Sequence, residues 1–213
     1  MSHAELDSPE PTPGAEAPVA PAVVRKRPKP GERRVQILQA LATMLEQPGA
    51  ERITTAALAA RLEVSEAALY RHFASKAQMF EGLIEFIEQS VFTLINQIAE
   101  REPAGPAQAG RIVAMLIQFA EKNPGMTRVM VGDALVFENE RLQQRMNQFF
   151  DKVEASLKQC LRSTGDAAAP TVDAAVRASV LTAFIVGRLQ RFARSGFKRA
   201  PSEHLDAALA RML

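Results

Sequence analysis

From Gly31 onward the apolar residues recur at spacings of three and four, with no alternation of period two, so the pattern predicts helices throughout. Val35, Ile37, Leu38, Leu41 and Leu45 predict a first helix over about 31–47, stopped by Pro48-Gly49. Leu58, Ala59 and Leu62 predict a short second helix with Thr54 and Thr55 as its caps. Ser65 caps a third, Glu66 to Phe73, in which Leu69 and Phe73 face inward four residues apart. The capping box Ser75-Lys-Ala-Gln78 opens a long fourth helix reaching about Glu100. On it Phe80, Leu83, Ile84, Ile87, Val91, Leu94, Ile95 and Ile98 form one stripe, while Phe86 and Phe92 fall off it. Pro103-Ala-Gly-Pro106 breaks the chain before a fifth helix near 107–122, and Asn123-Pro124 supplies an N-cap and a first-turn proline for a short sixth. A long helix from about Glu138 to Arg162 follows. Gly165 to Pro170 reads as a loop, Thr171 caps a helix over about 172–195, and Pro201-Ser202 opens a final short one. The expected fold class is all-α.

Composition divides the chain in three. Residues 1–30 are rich in Pro, Ala and Glu, bury too little apolar surface to offset their ordering entropy, and are expected to be disordered. They end in the basic arm Arg25-Lys-Arg-Pro-Lys-Pro30. A head over 31–76 and a helical body over 77–213 follow. The net charge of +2 hides an asymmetry. Residues 1–24 hold four acids and no Lys or Arg, giving −4; residues 25–76 hold ten Lys/Arg against five acids, giving +5; the rest holds sixteen against fifteen, giving +1. Positive charge therefore concentrates on the head, as phosphate binding requires.

Several function classes drop out. No run approaches the roughly 20 apolar residues that cross a bilayer, and the start lacks the apolar core of a secretory signal, so a cytoplasmic protein is expected. Cys160, the one cysteine, sits among Val153, Leu157 and Leu161 and reads as a small buried hydrophobe. His3, His72 and His204 have no metal-ligand spacing; no metal, cofactor or enzymatic activity is expected.

The stretch from Ile53 to Phe73 carries the most chemistry. Two short helices with a tight turn, leaving Ser65, Ala67, Tyr70, Arg71 and His72 on or near the outer side, form the layout of a helix-turn-helix that sets one helix in a DNA major groove. An ordinary helical hairpin is the alternative, and the joint pattern of caps, core and polar rim favours DNA.

Tyr70-Arg-His-Phe73, followed by Ser75-Lys76, resembles the Y-x-H-F…K signature of the TetR family of bacterial regulators. The resemblance covers 31–213 and implies a three-helix DNA-binding head on a helical body that dimerises. It implies that Tyr70 and His72 lie along the recognition helix and touch phosphates or bases, and that Lys76 helps clamp the backbone. The candidate DNA-contacting set is Arg27, Lys29, Arg33, Thr54, Thr55, Ser65, Glu66, Ala67, Tyr70, Arg71, His72 and Lys76.

Within that family, Arg52-Ile-Thr-Thr-Ala56, Val64 to Phe73, Leu83-Ile-Glu-Phe-Ile-Glu88, Asn123-Pro-Gly-Met-Thr-Arg128 and Ala134-Leu-Val-Phe-Glu138 resemble the nucleoid occlusion factors. That resemblance implies a homodimer on chromosomal DNA, with several dimers per site an open possibility, that antagonises polymers of the division protein FtsZ. It points to Phe86, Lys122 and Asn123 as the FtsZ-facing edge, while Leu94 and Gln118 depart from the pattern. Two bland readings stay open: Phe86 and Phe92 as packed core, and Asn123 as a plain helix start. Arg188, Arg191, Arg194, Lys198 and Arg199 read as a solvated face, or as an attractor for an acidic partner or anionic membrane surface. A ligand-responsive repressor is the alternative function, its pocket lined from 112–119 and 126–150, which serve equally well as core.

Overall fold

The computed structural model describes residues 31–47, 52–162 and 170–213, the side chains of 170 and 171 excepted. The acidic tail, the arm with Arg27 and Lys29, the Pro48-Gly49 stop and the loop from Gly165 to Ala169 lie outside these residues. Regular structure among the described residues is helical: α1 (Glu32–Leu45), α2 (Thr55–Arg61), α3 (Glu66–Tyr70), α4 (Lys76–Arg101), α5 (Pro106–Lys122), α6 (Pro124–Met130), α7 (Glu140–Leu161), α8 (Pro170–Arg194) and α9 (Leu205–Met212). A 3-10 turn, Asp133–Leu135, precedes α7.

Hydroxyl caps set three of the helix starts. Thr54 Oγ1 accepts from Ala57 N at 3.1 Å, Ser65 Oγ from Ala68 N at 3.3 Å and Ser75 Oγ from Gln78 N at 3.2 Å. The return half of the capping box is displaced by one residue, because Gln78 Oε1 accepts from Ala74 N, not from Ser75.

Other ends differ from the periodicity. α3 stops at Tyr70, three residues early; beyond it His72 N closes a tighter turn onto Leu69 O at 2.9 Å, and the Arg34 guanidinium donates to the carbonyl of His72. Asn123 does not cap α6 with its side chain; its Nδ2 donates back to Phe119 O at 2.7 Å, tying α6 to the end of α5. Asn139 caps α7 through Arg141 N, so that helix begins after Glu138. Thr171 lies inside α8, which starts at Pro170, a residue suited to a first turn. α9 starts at Leu205, not at Pro201-Ser202.

One core runs from Ile37 in α1 to Leu209 in α9. α4 is its spine: Phe80, Leu83, Ile84, Ile87 and Val91 are fully buried and it packs on α1, α5 and α7. Phe92 joins it edge-to-face with Phe149, ring centroids 5.7 Å apart. Of residues 112–119 and 126–150, Ile112, Val113, Leu116, Ile117, Val129, Met130, Leu142, Met146 and Phe149 join this buried cluster, while Ala114, Met115 and Gln118 line a cavity open towards α9 with Ile98, Asp206 and Leu209. α4 and α7 are also joined by Glu81–Arg141 at 2.5 Å and Glu88–Arg145 at 2.6 Å. The Glu88 hydrogen bond raises the Arg145 guanidinium pKa above its ordinary value. Burial pushes the Cys160 thiol up, as befits an unreactive core residue. No helix among the described residues is long and apolar enough to cross a membrane.

Candidate nucleic-acid interface

The turn between α2 and α3 is closed by a Schellman motif. Val64 N bonds to Ala59 O at 3.0 Å and Glu63 N to Ala60 O at 3.1 Å, with Glu63 in the left-handed region at φ 53°. Leu58, Leu69 and Phe73 bury beneath it, so α2 is held against α1 and α3 against α2 with their polar edges outward.

That outward edge gathers most of the predicted contact residues. Thr54, Ser65, Glu66, Ala67, Tyr70 and Arg71 are exposed and Thr55 is half-buried. Thr54 and Ser65 accept with their oxygens as caps, which leaves each hydroxyl proton to donate elsewhere. Tyr70 Oη donates to Thr55 Oγ1 at 3.4 Å, and Thr55 donates to Glu66 Oε2 at 2.6 Å, so the three side chains share one surface. His72 lies past the end of α3 and is half-buried, a correction to its expected place along the recognition helix. Arg33 is half-buried on α1, while its neighbour Arg34 stacks over the Phe73 ring at 4.1 Å. The Lys76 ammonium is ion-paired with Glu138, from the segment before α7.

The expected partner edge lies elsewhere. Phe86 is 48 % exposed on α4, Lys122 is exposed at the end of α5 and Asn123 is half-buried. Counting from the α4–α5 turn, Phe86 lies about 22 Å down α4 and Lys122 about 24 Å down α5, given roughly 1.5 Å per residue. The two are therefore level along the hairpin.

Periodicity along α8 shows a face that the expected site set missed. Ala174, Ala178, Leu181, Ile185 and Leu189 bury inward, while Val172, Val176 and Val180, on the opposite side, are 65 %, 57 % and 50 % exposed. Four-residue spacing of these valines was the available signal. Of the basic cluster, Arg188 donates to Glu203 O at 2.7 Å and lies over the Phe184 ring, while Arg191, Arg194, Lys198 and Arg199 are exposed.

Two family models match the chain. The one described as bacterial regulatory proteins, tetR family, covers residues 37–83, and the SlmA-like one described as tetracyclin repressor-like, C-terminal domain, covers 107–212. The nucleoid occlusion factor SlmA of Idiomarina loihiensis is 52 % identical over 177 residues, covering 82 % of this chain and 90 % of that protein. The chain belongs to the SlmA family of nucleoid occlusion factors. The SlmA of Aliivibrio fischeri is 50 % identical over 182 residues, 84 % of this chain and 93 % of that one. Among solved structures, the fatty acid degradation regulator FadR of Bacillus halodurans superposes with a TM-score of 0.71 at 13 % identity, over 87 % of this chain and 97 % of that one. A TetR transcriptional regulator of Legionella pneumophila gives 0.69 at 13 % identity, over 89 % and 100 %. These structures show the TetR fold. SlmA-family membership makes the chain a DNA-binding regulator of the dimeric TetR type.

Thr54→Ala tests the cap and the contact together. Losing the cap is expected to cost about 1 kcal/mol of stability, and losing the hydroxyl to weaken DNA binding further. Thr54→Ser should restore both, in thermal melts and in fluorescence anisotropy with a DNA duplex. Equal loss in the Ser variant would show that the methyl group, not the hydroxyl, carries the effect.

Proposed function

We propose that the dimer sits on chromosomal sites through α2, α3 and the basic arm, and in that state antagonises FtsZ polymer assembly, keeping the septum off the nucleoid. Hydroxyl protons of Thr54 and Ser65, the Tyr70 phenol and the arm residues Arg27 and Lys29 set the position by phosphate contacts. Side chains from Ser65 to Arg71 read base edges in a near-palindromic site; a Glu66 carboxylate suits a cytosine amino group. The exposed valines of α8 form the contact with the second copy.

One observation carries the FtsZ half of the reading. Phe86 is a large aromatic left about half exposed, level with Lys122 and about 15 Å along α4 from Lys76, given roughly 1.5 Å per residue. The test is sedimentation of FtsZ polymers with and without cognate DNA. Wild-type protein should lower the polymer yield, more so with DNA. Phe86→Ala should weaken that antagonism by about thirtyfold, the scale of a lost aromatic anchor of about 2 kcal/mol, while DNA affinity and melting temperature stay unchanged. Unchanged polymer yield at saturating wild-type protein and DNA would sink the reading. Release from DNA by a small apolar ligand would favour a ligand-responsive repressor instead.

A further inference from the structure

Lys76 stands at the start of α4, where the family resemblance places a DNA phosphate, yet its ammonium is already engaged. Its partner Glu138 belongs to the segment that joins the 3-10 turn to α7. The Glu138 side chain is 10 % exposed and that of Lys76 28 %. The Phe80 ring lies 5.7 Å from Lys76 Nζ, so the pair is walled on one side by an aromatic. Phe137, the residue before Glu138, places its ring 5.9 Å from the Arg52 guanidinium just ahead of α2. The segment thus grips the helix-turn-helix at two points, one at the foot of α2 and one at the foot of α4.

Two anions compete for one ammonium. A carboxylate buried to nine-tenths is costly to strip of its cation, whereas a single exposed phosphate contact returns little beyond counterion release. Lys76 therefore stays with Glu138 when DNA arrives, and the pair offers the backbone no net charge.

We infer that Glu138 masks Lys76, making the pair a neutral latch between the body and the DNA-binding helices in place of the free phosphate clamp that Lys76 would otherwise be. This rests on the reading that the foot of α4 faces the DNA backbone. It assigns Glu138 a positioning role that limits DNA affinity, and it makes that affinity responsive to anything that moves the 136–138 segment.

The test measures DNA binding by the full chain, by Glu138→Gln and by the double variant Lys76→Gln with Glu138→Gln, over about 50 to 200 mM salt. The probe is a duplex enriched by the wild-type protein from a randomised pool. Each phosphate neutralised contributes about 0.9 to the slope of log K against log salt, and a dimer carries two copies of Lys76. Glu138→Gln should bind more tightly and steepen the slope by about two, so that its advantage shrinks about tenfold across the salt range. The double variant, which removes both charges of the pair, should keep the wild-type slope and abolish the gain. A flattening by about two in the double variant would overturn the masking, since Lys76 would then be a phosphate clamp in the wild-type protein. Unchanged binding in Glu138→Gln would overturn it too, and would mean that the foot of α4 does not face phosphate. Failure of the DNA-facing reading itself is separate: it would show as full affinity in Thr54→Ala with Tyr70→Ala. If Glu138→Gln melts at assay temperature, the slope of the double variant, which leaves no unpaired buried charge, still decides.

Discussion

Gly125→Val is expected to lower stability by about 3 kcal/mol or more and the melting temperature by roughly 10 °C. A Cβ at Gly125 would lie 1.9 Å from the carbonyl oxygen of Ala42 and 2.8 Å from its carbon. Those are backbone atoms of α1, so no rotamer change relieves the clash. Helix propensity argues the other way, because replacing an interior helical glycine usually gains up to about 1 kcal/mol. The clash wins on magnitude: α6 has to back away from α1, and the buried residues on either side, Ala42 and Thr127, lose their neighbours. Thr127 is itself a pin, its hydroxyl donating to Ala120 O at 2.7 Å at the end of α5. Thermal denaturation followed by circular dichroism reads the loss. A melting temperature within 2 °C of wild type, roughly 1 kcal/mol or less, would mean that α6 can slide without cost. The same close contact links function to fold, since Lys122 and Asn123 lie just ahead of Gly125, and a displaced α6 would move the partner edge relative to the DNA-binding helices.

Much of this layout was legible in the residues. The caps Thr54, Ser65 and Ser75 announce themselves because a hydroxyl that satisfies an orphan N–H is a local event, needing only its own three following residues. The stripe of α4 and the inward pair Leu69 and Phe73 were visible for the same reason: helical periodicity is local. Contacts between distant groups were not legible. Past the end of α3, Arg34, thirty-eight residues away, reaches the His72 carbonyl. The Lys76–Glu138 pair spans sixty-two residues, and no spacing rule connects its halves. Phe86 and Phe92 show the limit from the other side. Both fall off the α4 stripe, yet Phe92 meets Phe149 on α7 and Phe86 meets solvent, a distinction that only the packing of α7 against α4 makes.

Val176→Glu with Val180→Glu is expected to split the dimer and lower DNA affinity by about two to four orders of magnitude. α8 is apolar on opposite sides, and one protomer can bury only the side that carries Leu181, Ile185 and Leu189. The side with Val172, Val176 and Val180 is left for a second copy, and Ala183 continues it as a small residue that permits close approach. In a two-fold contact the same residues meet on both sides of the axis, so the double change brings four carboxylates into one desolvated seam. Each would need a cation that the valine face does not supply. The protomer itself should tolerate the change, because both positions are about half exposed before any dimer forms and surface substitutions of that kind cost little. A native circular dichroism spectrum with a halved mass in light scattering is the expected pair of results. DNA binding then falls because two half-sites are no longer held together, and linkage of that sort contributes about 10²- to 10⁴-fold. A variant that stays dimeric would place the contact on another face. One that goes monomeric yet binds DNA at full strength would show that each helix-turn-helix acts alone. Either outcome separates the dimer from the DNA contact, because Thr54 and Tyr70 are untouched on α2 and α3.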